Sequence, residues 1–390
     1  MIAASPTTPA LRAINLIRVL IVDDSRLFRY AVAGALSDES GLEIAGSERN
    51  GVTAMEFLRA TPDIDVVTLD LEMPEMDGLE TLKAIRELNA TRPREREIGV
   101  IMLSAHTIQG AQSTIAALSA GAFDFIAKPA EANQADSMAS LKSQLPQRIR
   151  ACHQRLRRLV PPSALLNASK PDLPRDRPPR PLQGSLQTPA RPTAAARPGQ
   201  VQAIVIGVST GGPRALLTLL PKLTRLTRVP IVIVQHMPPK FTASLAESLA
   251  KLCIPTLVTE AVDNDPVVPG HVYIAPGGKH LIVRRSITNQ VVCGVNENPP
   301  ENALRPNVDV MFRSAAQVWA GNVVAVILTG MGADGTKGLA PLKRAGASVI
   351  VQDEATSVVW GMPGAAVAAG LADQVLPLEA IADAVAKACR

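Results

Sequence analysis

Short, uniformly apolar runs alternate with amphipathic stretches twice along this 390-residue chain, and a proline-rich break separates the two series. Apolar runs of this kind, without polar alternation, belong to strands buried on both faces. Such strands occur in parallel sheets covered by helices. In the first series the runs are Arg18–Val22, Leu42–Ser47, Asp65–Asp70, Ile98–Ser104 and Asp124–Ala127. Between them, Ser25–Leu36, Val52–Ala60, Leu79–Leu88 and Gln109–Ala120 read as helices. In the second series Ala203–Gly207, Ile231–Gln235, Val323–Thr329 and Ser348–Gln352 read as buried strands. The texture changes between His236 and Asn307, where Thr256–Ala261, His271–Ala275, His280–Arg284 and Gln290–Val295 look like short strands and hairpins. The fold class is α/β: two doubly wound domains, the first flavodoxin-like with five parallel strands, the second mostly parallel with an antiparallel hairpin excursion.

The break is compositional. Residues 161–198 hold 10 of the 32 prolines and no apolar period, which predicts a flexible or polyproline-like linker. A helix from about Ala135 to Leu159 precedes it, with Pro146 placed to break it. The expected organisation is a loose tail over 1–17, a domain over 18–135, a helix over 136–160, a linker over 161–200 and a second domain over 201–390.

Composition narrows the function classes. The net charge of +5 is concentrated in residues 148–200, which carry 11 of the 40 Lys+Arg and only 2 of the 35 Asp+Glu. The remainder is net acidic, so no nucleic-acid partner is expected. The four cysteines, Cys152, Cys253, Cys293 and Cys389, are scattered without metal-ligand spacing and read as reduced thiols. No run is long enough to span a bilayer, and the tail lacks a signal peptide's basic start and apolar core. A cytoplasmic location without membrane insertion is expected.

Polar residues collect at strand ends. Asp23 and Asp24 end the first strand and Asp70 the third, while Ser104 and Lys128 end the fourth and fifth. Ligands of open α/β sheets bind outside those carboxyl ends. Three converging carboxylates repel unless a hard cation such as Mg²⁺ lies among them. A hydroxyl and an ammonium at the same rim suit a phosphoryl group, which Asp70 would accept. One such residue reads as a turn or cap; five of these types in order do not. In the second series, Gly207-Val208-Ser209-Thr210-Gly211 satisfies G-x-S-x-G and exposes Ser209 on a strand-to-helix turn. His236 directly follows a strand at the same rim, and Asp334 lies just past another. Together they make a hydrolytic triad in an order unlike that of lipase-type hydrolases. His271 and His280 read as surface residues. A rival reading of Gly330-x-Gly332-x-x-Gly335 with Asp353 is a dinucleotide fingerprint, disfavoured by the carboxylate inside its loop.

The first domain resembles the receiver domain of two-component response regulators. The resemblance rests on Val22-Asp23-Asp24-Ser25, Leu69–Gly78, Leu103-Ser104-Ala105 and Ala127-Lys128-Pro129. It implies Asp70 as phosphoacceptor, Asp23, Asp24 and the Glu72 carbonyl as Mg²⁺ ligands beside Asp70, and Ser104, Phe125 and Lys128 as switch residues. At Phe125 a core aromatic is an equally good reading. From about Ala203 onward the chain resembles the CheB family of chemotaxis protein-glutamate methylesterases, through Ile206–Pro213, Gln235–Pro238, Pro269–Gly277, Arg305–Asp309, Leu328–Gly335 and Gln352–Pro363. That resemblance implies Ser209 as nucleophile, His236 as base and Asp334 as orienter, with Met331 and Thr210 at the oxyanion hole. It implies hydrolysis of glutamate methyl esters on methyl-accepting chemoreceptors, deamidation of receptor glutamines, and no cofactor for the esterase. It also implies a histidine kinase as phosphodonor and a cleft obstructed until Asp70 is phosphorylated.

Overall fold

The computed structural model describes residues 16–128, 134–158 and 200–390. The expected tail up to residue 15 and the linker over 161–199 lie outside them. The first domain runs β1 (Ile17–Val22), α1 (Arg26–Leu36), β2 (Leu42–Glu48), α2 (Gly51–Ala60), β3 (Val66–Asp70), α3 (Gly78–Ala90), β4 (Gly99–Ser104), α4 (Ile108–Ala120) and β5 (Asp124–Ala127). Its five strands form one parallel sheet in the order β2-β1-β3-β4-β5. Every residue of β3 and β4 is buried, which is why their sequences are apolar without alternation. The helices begin where a side chain satisfies a free amide: Ser25 for α1, Asn50 for α2, Thr107 for α4, and a reciprocal Asp77–Glu80 box for α3.

Helix α5 (Gln134–Arg158) runs as one helix through Pro146. Leu141, Leu145 and Ile149 are buried on the sheet face beside Val19, Ile21 and Leu103. Burying three such side chains outweighs the ~3 kcal/mol that an internal proline costs.

The second domain runs β6 (Ala203–Val208), α6 (Gly212–Leu226), β7 (Ile231–Gln235), α7 (Phe241–Leu252), β8 (Leu257–Glu260), β9 (His271–Ile274), β10 (His280–Arg285) and β11 (Val291–Asn296). It continues with α8 (Val308–Trp319), β12 (Val323–Ile327), α9 (Thr336–Arg344), β13 (Ser348–Gln352), α10 (Gly361–Ala368), β14 (Gln374–Leu376) and α11 (Leu378–Ala388). Seven strands form a parallel sheet in the order β14-β13-β12-β6-β7-β9-β8. Of the four short runs expected as hairpins, only β10 and β11 pair antiparallel, with His280 opposite Asn296. Strands β8 and β9 extend the parallel sheet instead. Alternation marks a strand but not its direction, which the connection decides. No described helix is long and apolar enough to cross a membrane.

The domains share apolar packing. One continuous cluster holds Ala111, Ile115 and Phe125 of the first domain with Phe241, Leu245 and Leu249 of the second.

Candidate active site

Two rims carry polar groups. At the first, carboxylate oxygens of Asp23, Asp24 and Asp70 lie within 4.8 Å of one another. Lys128 Nζ is 2.8 Å from both Asp23 Oδ2 and Asp70 Oδ2. Burial pushes the Asp70 carboxyl up to about 6, against the pull of Lys128. Burial raises Asp23 as well, and Lys128 opposes it there too. One ammonium therefore does not balance three acids. This oxygen-only donor set, short of positive charge, fits a hard divalent cation. Glu72 is exposed beside the rim. Ser104 is turned toward α4: its hydroxyl donates to the Gly110 carbonyl at 3.1 Å and accepts from Thr114 Oγ1 at 2.8 Å.

At the second rim the register places the groups. Val208 pairs with Gln235 across β6 and β7, so Ser209 and His236 leave adjacent parallel strands side by side. Such strands lie about 4.8 Å apart. Gly207 pairs with Ile327 on β12, the strand on the other side of β6. The loop after β12 folds back and brings Asp334 Oδ2 to 2.8 Å from His236 Nε2. Asp334 also accepts the amides of Val308 (2.7 Å), Asp309 (3.0 Å) and Gly335 (2.8 Å). Two of these open helix α8, whose positive end favours an anion. Burial alone would raise the Asp334 pKa, but His236 and those amides outweigh it and hold the carboxyl below the usual range. An ionised Asp334 accepts from Nε2–H and leaves Nδ1 as the proton acceptor of the ring. Among the described residues no hydrogen bond joins the Ser209 hydroxyl to that ring; apo sites commonly close this contact only with substrate.

The Ser209 turn is clamped by residues that sequence reasoning passed over. The Ser209 amide donates to Thr329 O at 3.0 Å, and Gln235 Nε2 donates to Ser209 O at 3.0 Å. Thr329 Oγ1 donates to Thr210 O at 2.9 Å. The available signal was a polar residue ending each all-apolar strand, Gln235 and Thr329 among them. Gly211 is left-handed (φ 77°), and a Cβ there would run into Val358. Among the described residues the amides of Thr210 and Met331 have no acceptor, and both residues line the cleft beside Ser209.

The other histidines lie elsewhere. His280 is buried, not at the surface, with Nε2 3.2 Å from Pro299 O. His271 is half-buried, stacked on Tyr273 and bonded to Thr259 Oγ1 at 2.8 Å. The glycine-rich loop does not present a nucleotide cradle: at the start of α9 the Gly335 amide is taken by Asp334 and the Gly338 amide by Asp309, and Asp353 caps the turn ending at Thr356.

Comparison with known proteins decides the family. A response regulator receiver domain model matches residues 19–140, and a CheB methylesterase model matches 204–385. A protein-glutamate methylesterase/protein-glutamine glutaminase of Desulfotalea psychrophila is 41% identical, over 95% of this chain and 97% of that protein. One of the same description from Trichodesmium erythraeum is 42% identical, over 94% of this chain and 97% of that protein. The chain belongs to the CheB methylesterase family. The solved catalytic domain of Thermotoga maritima CheB is 44% identical, covering 48% of this chain and 97% of that one, with a TM-score of 0.46.

In this CheB-family chain the esterase rim faces strand β5 and helix α5 of the receiver across the domain boundary. A cleft of about 670 Å³ is lined by Ser209, His236 and Met331 on one side and by Phe125, Gln147 and Arg148 on the other. Phe125 stacks on Phe241 of α7, with ring centroids 4.7 Å apart and planes at 26°. His106 packs edge-on against the same ring, and Lys240 Nζ donates to its carbonyl at 2.7 Å. The expected switch aromatic is thus an interdomain contact.

Proposed function

We propose that this chain is a serine esterase that removes methyl groups from glutamate side chains of chemoreceptor cytoplasmic domains, under control of its receiver. The observation that carries the reading is the His236–Asp334 bond delivered beside Ser209 by three adjacent strands. Ser209 Oγ attacks the ester carbonyl while His236 Nδ1 takes its proton. Asp334 holds the ring and stabilises the imidazolium. The Thr210 and Met331 amides receive the oxyanion, each donor contributing about 3 kcal/mol. Methanol leaves with the proton from His236. Water then repeats the sequence on the acyl-enzyme and frees the glutamate carboxylate. A glutamine side chain would pass through the same steps with ammonia leaving.

In the receiver, Asp70 is the phosphoacceptor, and a histidine kinase the source. Asp23, Asp24, Asp70 and the Glu72 carbonyl would hold Mg²⁺, which neutralises charge on the transferred group. Lys128 supplies a second positive charge at Asp70. Ser104 would leave its Gly110 bond to reach the phosphoryl oxygens, and Phe125 would follow. Phe125 braces the receiver against α7 while its own strand walls the cleft, so displacing it opens the route to Ser209. Release of methanol from methylated receptor membranes, with and without a small phosphodonor, tests both halves. No release would remove the esterase reading; release indifferent to phosphodonor would remove the coupling.

A further inference from the structure

A buried carboxyl group outside the triad lies directly behind it. Asp309, the second residue of α8, is 1% exposed. Its Oδ1 accepts the Gly338 amide of α9 at 2.5 Å, and its own amide donates to Asp334 Oδ1. The Asp309 carboxyl group also stands close to that of Asp334. The approach of the two helices is built in: a Cβ on Gly338 would meet the Asp309 backbone at 2.7–2.8 Å. Two carboxyl groups this close repel unless a proton lies between them, and donors decide which one gives up its charge first as the pH falls. Asp334 accepts four donors, from His236, Val308, Asp309 and Gly335. Asp309 accepts one amide. Asp334 therefore keeps the charge, and the proton belongs to Asp309.

We propose that Asp309 is a positioning residue of the esterase: its buried carboxyl group, anchored on the Gly338 amide, braces Asp334 in the orientation that holds His236. The inference rests on the esterase reading above. The charged groups around Asp309 are few. Asp334 faces it from the loop after β12, with His236 beyond. Arg313 lies one turn along α8, held by Glu301 at 2.9 and 2.5 Å, and Lys337 of α9 stands near Glu301. Burial first, then the Asp334 charge, pushes Asp309 up to about 6 against the Gly338 amide and Arg313. Above that pH the pair carries two negative charges, which favour the His236 imidazolium.

Two variants separate shape from charge. Asp309→Asn can accept from Gly338 and donate to Asp334 at every pH, so it keeps the brace and loses the second charge. Its kcat should stay within about 3-fold of wild type, and the acid limb of its pH profile should move to lower pH by roughly one unit. Asp309→Ala should lose about 10- to 100-fold in kcat with little change in KM, the cost of a misaligned group. An unmoved limb in Asn, or full kcat in Ala, would overturn the proposal. Should the alanine chain not fold, the asparagine profile decides. NMR of the His236 ring in the full chain reads the brace without substrate, and the ring resonances should move in Asp309→Ala. Moved resonances with a silent methanol assay would discard the substrate and keep the brace; unmoved resonances would discard the brace.

Discussion

The two rims of this molecule are built alike and charged differently. Each lies at the carboxyl ends of a parallel sheet, and each buries aspartates there. In the esterase domain, Asp334 has four donors from the chain itself and stays below the usual carboxyl range. In the receiver, Asp23 and Asp70 share one lysine and are pushed upward. The first is compensated from within and is ready to act. The second is left short of positive charge, and so is sensitive to a cation or a phosphoryl group arriving from outside. The same architecture serves as a preorganised catalyst in one half and as a switch in the other, and the number of internal donors makes the difference.

The largest effect belongs to the nucleophile: Ser209→Ala should lower methanol release by about 10⁶-fold without shifting the melting temperature. Substantial residual release would mean that the preorganised rim is not the reacting one. Asp334→Asn, which leaves the ring unoriented, should cost about 10⁴-fold in kcat. Asp70→Asn should abolish stimulation by phosphodonor while basal release persists, and chelating divalent metal should do the same to the wild type. If either change silenced basal release, the two rims would not be separable.

A gentler test reads the charge shortfall directly. Asp70 has a folded pKa near 6 against 3.8 for an ordinary carboxyl, so the folded state binds the extra proton between them. The metal-free protein should then lose stability as pH rises from about 4 to 6. Asp70→Asn should flatten that slope, leaving the parts due to Asp23 and Asp309, which are raised in the same sense. A melting temperature that rose through this window would contradict the charge argument. Smallest is the interdomain brace. An aromatic pair contributes about 1 kcal/mol beyond its area, so Phe241→Ala should raise basal release about 5-fold. Unchanged basal release would show that the Phe125 contact does not hold the cleft closed.

Much of this was legible beforehand because the relevant signals are local. Asp23, Asp70, Ser209 and His236 each end an apolar run, and a parallel sheet brings such ends to one rim. The direction of β8 and β9 was not legible, nor the continuity of α5 through Pro146, nor the burial of His280. Each of these depends on what lies across the chain: a neighbouring strand, a sheet face, the loop around Pro299.

By itself the sequence determined the two α/β domains, the order of strands and helices, and the identity of the polar groups at the strand ends, since periodicity and punctuation are properties of neighbouring residues. It took the folded chain to seat Asp334 on the α8 amides, to stand Asp309 behind it and to stack Phe125 on Phe241. Those contacts join residues 25, 26 and 116 positions apart, and a pairing at that range is selected by packing, which no local pattern encodes.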